Sequence, residues 1–173
     1  VDENDLAFLR DPHEWSNLLL VEQPNGDFAD TIARQYCYDA WHLPFLEQLT
    51  ASNDTTLAAI AAKSVKEARY HVRHSSMWVK RLGDGTEVSH RRMQDAITAV
   101  WPFIAEMFIA DELDQRMLEI DVGVDLRALQ SAWESQVSAL LANATLSKPI
   151  AVKAIVGGRQ GQHTEHLDDL LLE

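Results

Sequence analysis

Residues 27–51 read DFADTIARQYCYDAWHLPFLEQLTA, and together with residues 54–82 they decide the fold. Steps of four and three through the first segment give the packing positions Phe28, Ile32, Gln35, Asp39, His42, Leu46 and Leu49. The same steps through the second give Leu57, Ala61, Ser64, Ala68, His71, Ser75, Trp78 and Leu82. This period is typical of amphipathic helices, so two long helices joined at Ser52-Asn53 are predicted, with Asn25-Gly26 as a left-handed turn before the first.

Both predicted packing seams are apolar at their ends and polar in the middle. Folding the two helices as an antiparallel hairpin, with a rise of ~1.5 Å per residue, places Asp39 level with Ser64 and Ala68. A buried carboxylate without a partner costs on the order of several kcal/mol. Asp39 is therefore predicted to need a metal ion, a cation or several hydrogen-bond donors.

Further helices are predicted on both sides of this hairpin. One begins at an Asp11 cap followed by Pro12. A second runs from behind Ser89 to about Ile109, with a kink near Pro102, and a third covers residues 125–144. The last two carry apolar seams, Met93, Ile97, Val100, Ile104 and Met107 in one and Leu126, Leu129, Trp133, Val137 and Leu140 in the other. Short connections between long amphipathic helices predict one all-α domain, residues 1–173, built as an antiparallel helix bundle.

Composition excludes several classes of function. Lys and Arg total 15 against 27 Asp and Glu, a net charge of −12, whereas nucleic-acid binding and adsorption to anionic membranes need clustered positive charge. The single cysteine, Cys37, excludes an internal disulfide and indicates a reducing cytoplasm. No run approaches the ~18 apolar residues of a membrane span. The chain opens on VDENDLAF without an initiator Met, which predicts that an N-terminal part lies outside it.

Residues 65–75, VKEARYHVRHS, come close to a di-iron motif. A di-iron carboxylate bundle takes a Glu from each of two helices and a Glu-x-x-His pair from each of two others. The position three residues before His71 is Ala68, so the pair is incomplete. Asp39, Glu67 and His71, with His42 as a further possibility, are too few ligands for such a centre. The alternative is that these are ordinary solvated polar residues on a curved helix.

Four stretches carry a resemblance to a known family. They are WSNLLLVEQPNGDFADTIARQY at 15–36, KEARYHVRHS at 66–75, the long stretch from there to GTEVS, which ends at 89, and GGRQGQHTEHL at 157–167. They resemble the PaaC family, the structural C subunit of the bacterial phenylacetyl-CoA 1,2-epoxidase complex in phenylacetic acid degradation, over essentially the whole chain. The resemblance implies a ferritin-like bundle. Family members begin with two further helices and extend beyond the equivalent of Glu173, so the chain is expected to be a fragment truncated at both ends.

The same resemblance implies how the polar positions arose. The homologous catalytic A subunit of the complex holds a di-iron centre, and the second Glu of its motif corresponds to Ala68, while His71 and the carboxylate of Asp39 are kept. Asp39, Glu67, Ala68 and His71 are thus interpreted as relict di-iron positions, with no metal, cofactor or catalytic residue on this chain. Asp39 is expected to lie in a polar network instead, with Gln35, His42, His71 and Lys63 or Lys66 as its partners.

The resemblance also implies a function. The chain would be a non-catalytic structural subunit that pairs with the A subunit and other subunits of an NADPH- and O2-dependent monooxygenase, which forms an epoxide on the ring of phenylacetyl-CoA. Iron would belong to the A subunit, and NADPH would act through a reductase subunit. Two alternatives stay open, namely a self-sufficient di-iron carboxylate oxygenase and a helical interaction module outside this pathway.

Two weaker signals lie elsewhere. GGRQGQH, residues 157–163, would present backbone N–H groups and Arg159 to a phosphate such as that of CoA, or else form a Gly-rich turn, which we favour. His71-x-x-His74 and His163-x-x-His166 have metal-compatible spacing, but hydrogen-bonding or surface roles are favoured because no further ligands lie near them in sequence.

Overall fold

A computed structural model describes residues 2, 4, 5 and 9–172. Its helices are α1 (Leu19–Glu22), α2 (Phe28–Leu49), α3 (Thr55–Gly83), α4 (Glu87–Val100), α5 (Glu112–Glu119), α6 (Leu129–Asn143) and α7 (His166–Leu172). Single 3-10 turns cover Pro12–Glu14, Trp101–Phe103, Ala105–Phe108 and Gly158–Gln160. All regular structure in the described residues is helical, which confirms the predicted all-α class and is consistent with a ferritin-like bundle.

The predicted hairpin is confirmed as α2 and α3. Asp27 caps α2, because its Oδ1 accepts the N–H groups of Ala29 (2.7 Å) and Asp30 (3.2 Å), and Gly26 before it has a φ of +55°. Asp54 caps α3 in the same way, through the N–H groups of Thr56 and Leu57. The local cap and turn residues thus set both helix starts, within one residue of the predicted ones.

Three other predicted helices begin or end differently. The segment after Asp11 makes one 3-10 turn rather than a helix, and α4 ends at Val100 instead of continuing to Ile109. Pro102 has no N–H group to continue the helical ladder and its ring clashes with the carbonyl four residues before it in an α-helix, so two 3-10 turns replace the last part of the predicted helix. α6 starts later than predicted because Asp125 accepts the N–H groups of Arg127 and Ala128 in a local turn.

The main core lies between α2, α3, α4 and α6. Nine of the ten seam positions predicted for the two later helices are buried, and the tenth, Leu140, is half-buried. Cys37 on α2 is fully buried, and its carbonyl accepts the indole N–H of Trp133 on α6 at 3.0 Å. Burial raises the pKa of the Cys37 thiol to about 12, so this residue acts as a small apolar side chain.

None of the helices in the described part of the chain combines the length and the apolar character that a bilayer crossing requires.

Candidate functional site

Asp39, in the middle of α2, is the buried carboxylate that the sequence predicted. Its side chain is 2% exposed and faces α3. Oδ1 accepts the amide N–H of Gln35 at 2.6 Å and Oδ2 accepts the hydroxyl of Ser75 at 2.8 Å. Burial raises the pKa of the Asp39 carboxyl above its usual value, against the lowering effects of these two bonds and of His71 and His42.

The register of the hairpin differs from the prediction at this point. Asp39 meets Ser75, about two helical turns beyond Ala68, whereas Ser64 and Ala68 were expected at its level. Side chains of an α-helix lean toward its N-terminus, so Asp39 leans away from the connecting turn and the side chains of α3 lean toward it. This lean moves a contact by only about one position on each helix, so most of the two-turn difference is an offset of α3 along α2.

Ala68 belongs to a separate apolar contact near the turn. It is 5% exposed and packs in a small cluster with Leu46, Ala61 and Val65. An alanine at this position fits an apolar interface between two helices and supplies no donor atom to a metal.

Glu67 and His71 lie on the outer side of α3. The side chain of Glu67 is 77% exposed, and its Oε1 lies 3.8 Å from Nε2 of His71, which is itself 44% exposed. His71 still interacts electrostatically with Asp39, so the structure brings these two predicted positions together. Glu67 points to solvent, away from the buried carboxylate.

The structure brings Asp39 together with three of the residues predicted for a polar network around it. Gln35 is a direct donor, and His42 and His71 act on Asp39 through their charge. His42 is half-buried, and burial lowers its pKa against the raising effect of Asp39. Lys63 and Lys66 were wrong candidates: both lie outside the hydrogen bonds and charge interactions of Asp39. Long ammonium side chains on this part of α3 stay hydrated instead.

Asp39 opens onto a groove of about 300 Å³ between α2 and α3. The side chains that line it are Phe28, Thr31, Ile32, Gln35, Asp39, His71 and His74. Among the described residues, no group of three or more His, Cys, Asp or Glu side chains converges as a metal site would require. One buried carboxylate whose oxygens already accept protein donors does not fit a di-iron centre, because the imidazoles of His42, His71 and His74 near it come without the further carboxylates that two irons require.

Sequence reasoning missed two other buried carboxylates, Glu22 and Glu106. Glu22 is 1% exposed, and its oxygens accept four donors, from Asn17, His163 and both the N–H and the hydroxyl of Thr164, at 2.6–2.8 Å. His163 also places Nε2 3.0 Å from the carbonyl oxygen of Trp15. The His163-x-x-His166 pair therefore contains a buried histidine that forms hydrogen bonds, a role that the sequence favoured over metal binding.

Glu106 organises the glycine-rich segment. Its Oε1 accepts the N–H groups of Gly157 (2.8 Å) and Gly158 (2.9 Å), and its Oε2 accepts that of Leu19 (2.7 Å). Arg159 pairs with Asp111 and Asp114. The backbone N–H groups and the arginine considered for a phosphate thus bind carboxylates of the protein itself. A carboxylate placed inside the apolar run FIAEMF, 103–108, was the available sequence signal.

Replacing Asp39 with asparagine is expected to leave the free energy of unfolding unchanged at neutral pH or to raise it by up to about 1 kcal/mol. Asp39 has a raised pKa in the folded state, so the folded protein binds more protons than the unfolded one, and this group costs stability as pH rises above ~3.9. The variant should remove that part of the pH dependence. Urea unfolding between pH 4 and 8 measures it, with exposed Asp95→Asn as the control. A loss above about 1 kcal/mol at pH 7 would contradict this account.

Comparison with known proteins places the chain. The phenylacetic acid catabolic protein family matches residues 1–173. The C subunit of 1,2-phenylacetyl-CoA epoxidase from Escherichia coli (strain K12) is 54% identical over 172 residues, which cover 99% of this chain and 69% of that protein. A match of this extent along a helical chain with the predicted hairpin shows common descent and a common fold, and the chain belongs to the phenylacetic acid catabolic protein family.

Proposed function

We propose that this chain is a structural subunit of a phenylacetyl-CoA epoxidase and works beside a separate iron-bearing subunit. The observation that carries the proposal is the 54% identity to the C subunit of the E. coli epoxidase along 99% of the chain. In such a complex the epoxidation of phenylacetyl-CoA, with iron and O2, takes place on the catalytic A subunit. Electrons from NADPH reach it through a reductase subunit, and the present chain binds none of these cofactors.

The geometry around Asp39 supports the non-catalytic part of this proposal. A di-iron centre requires several carboxylates that are free to bind metal. Here the position of the second motif glutamate is an alanine in an apolar cluster, and Glu67 faces solvent. Asp39 uses its oxygens for Gln35 and Ser75. Asp39, Glu67, Ala68 and His71 are accordingly relict positions in our proposal.

Exposed side chains on the hairpin support a role in subunit contacts. Exposed apolar and aromatic side chains follow α2 and α3, namely Phe28, Leu57, Ile60, Tyr70 and Met77. Phe28 meets Trp78 edge to face at 5.0 Å between ring centroids, and Tyr70 stacks near His74 at 6.1 Å. Aromatic side chains of this kind are enriched in the cores of protein interfaces. The cytoplasmic location predicted from the single cysteine stays a prediction.

Iron analysis and coexpression test the proposal. The full-length protein, purified alone, is expected to contain less than about 0.1 iron per chain, and to elute with the A subunit as one complex after coexpression. The complex should contain about two irons per A subunit. The measurements are elemental analysis and size exclusion with light scattering.

Two outcomes would contradict the proposal in different ways. About two irons per chain in the isolated protein, with O2 consumption on phenylacetyl-CoA, would support the self-sufficient oxygenase. Failure to bind the A subunit at any salt concentration would instead support an interaction module outside this pathway. The A subunit expressed alone, analysed for iron in parallel, is the control for metal loading.

A further inference from the structure

The turn between α1 and α2 joins an asparagine to a glycine. Asn25 and Gly26 are both exposed, and Gly26 has a φ of +55°. A Cβ on Gly26 would lie 2.3 Å from Oδ2 of Asp30, so glycine is strongly favoured at this position. Within the described part of the chain, the backbone N–H of Gly26 donates no hydrogen bond. The nitrogen of Gly26 therefore faces water without a side chain of its own to screen it.

A cation holds the side-chain oxygen of Asn25. Nη2 of Arg34, on α2, donates to Oδ1 of Asn25 at 2.6 Å. Nη1 of the same guanidinium donates to the carbonyl oxygens of Gln23 and Pro24. All three acceptors are neutral oxygens. Arg34 is half-buried, and burial lowers its pKa against the raising effect of Asp30, so this cation is short of negative charge.

We propose that Asn25 is a modification site at which water converts the side-chain amide into a carboxylate, and that Arg34 promotes this deamidation. The nitrogen of Gly26 loses its proton to water and attacks Cγ of Asn25, and an electron pair moves onto Oδ1. That pair returns as the bond from Cγ to Nδ2 breaks, and ammonia leaves with a proton taken from water. Water then opens the cyclic succinimide, so that one water is consumed for each ammonia released.

The contacts of the turn favour the ring closure. Cγ of Asn25 is separated from the nitrogen of Gly26 by no more than Cβ, Cα and the carbonyl carbon of Asn25, so rotation within this one residue brings the reacting atoms together. Negative charge develops on Oδ1, the atom to which Arg34 already donates. A donor held at a developing oxyanion lowers the barrier, because the transition state gains more from it than the ground state.

The same contact determines which product forms. Water opens the succinimide either at the former side-chain carbonyl, which gives aspartate, or at the backbone carbonyl, which gives isoaspartate. Arg34 polarises the side-chain oxygen of Asn25, whereas the backbone oxygen of Asn25 accepts the neutral hydroxyl of Thr31 at 2.9 Å. A charge-assisted hydrogen bond is the stronger of the two. Aspartate should therefore exceed isoaspartate, and its new carboxylate should pair with Arg34.

Prolonged incubation of the full-length protein at neutral pH, followed by peptide mass spectrometry, tests the site. Asn25 is expected to deamidate at least about 10-fold faster than exposed Asn53 and Asn143, which are internal controls. Electron-transfer fragmentation distinguishes the two products and should find aspartate in excess. A synthetic peptide of residues 21–29 lacks Arg34 and should give isoaspartate in excess, because its backbone carbonyl is the more electrophilic one.

Variants of the two donors separate their effects. Arg34→Gln removes the cation, so Asn25 should deamidate more slowly, by on the order of 10-fold, with a larger share of isoaspartate. Thr31→Val removes the hydroxyl from the backbone carbonyl and should lower the share of isoaspartate. Arg91→Gln, exposed on α4, is the matched control and should change neither the rate nor the products.

Three results would each overturn the proposal. They are deamidation of Asn25 no faster than that of Asn53, isoaspartate in excess in the unmodified protein, and faster deamidation in Arg34→Gln. The first two are measured on the unmodified protein, so the question is decided even if Arg34→Gln fails to fold. None of these measurements depends on the proposed epoxidase function.

Discussion

Replacing Glu106 with glutamine is expected to lower the free energy of unfolding by roughly 3–5 kcal/mol. The carboxylate accepts three backbone N–H groups, from Leu19, Gly157 and Gly158. A glutamine oxygen can keep two of these bonds. Its amide nitrogen would then face the third N–H, donor against donor, in a side chain that is 3% exposed.

The loss of stability in Glu106→Gln should appear first near the lost hydrogen bonds and only then in the whole fold. Hydrogen exchange of the Leu19, Gly157 and Gly158 amides is expected to accelerate in Glu106→Gln, while amides in the middle of α2 and α3 keep their protection. Urea unfolding gives the change in free energy. Exposed Glu134→Gln, which removes a carboxylate that accepts a hydrogen bond from Gln130, is the control and should change stability by less than about 0.5 kcal/mol. A loss below about 1 kcal/mol for Glu106→Gln would show that these bonds matter little.

The backbone of the glycine-rich segment, residues 157–163, is shaped for close contact with the Glu106 carboxylate. Gly157 has a φ of +136°, and a Cβ on Gly158 would lie 2.4 Å from the carbonyl oxygen of Asn17. Both glycines are therefore needed so that their N–H groups can approach one carboxylate. Arg159, the next residue, lies 2.6 Å from Asp114.

Local patterns predicted the part of the fold that depends on local physics. The period of apolar residues and the caps at Asp27 and Asp54 involve residues that are close in sequence. They predict the ends of α2 and α3 within a residue or two. The burial of Asp39 followed from the same period, and so did Gln35, one turn before it, as a partner. Ser75 lies in the predicted seam of α3, but its pairing with Asp39 depends on the offset between the two helices, which the period of apolar residues does not predict.

The interactions that were missed join residues far apart in sequence. Glu106 accepts the N–H of Leu19, and Glu22 accepts hydrogen bonds from His163 and Thr164. In each case a carboxylate within an apolar run of the sequence binds groups that lie far from it along the chain. Hydrophobic periodicity reports which face of a helix is buried, but it carries no information about a backbone N–H group on a distant loop. For the same reason, the period of apolar residues predicted a continuous helix after Val100, whereas the structure has 3-10 turns there that place Glu106 in the interior.

Replacing Glu22 with glutamine is expected to lower the free energy of unfolding by about 2–3 kcal/mol at pH 7, and this loss should shrink in acid. Burial pushes the pKa of Glu22 up, but the bonds from Thr164, His163 and Asn17 together outweigh it, so its pKa lies below the usual value. A carboxyl with a lowered folded-state pKa contributes stability above its unfolded value of ~4.3 and loses that contribution as pH falls through the folded value.

The sign of this pH dependence separates Glu22 from Asp39. The difference in stability between the unmodified protein and Glu22→Gln should fall as pH drops below ~4.3, where the unfolded state begins to bind the proton. For Asp39→Asn the difference should instead grow in favour of the variant as pH rises, because burial raises that pKa. Exposed Glu165→Gln is the matched control for the carboxylate on the partner segment. A Glu22→Gln deficit that increases toward acid would contradict this account, because it would mean that the burial of Glu22 outweighs its four hydrogen bonds.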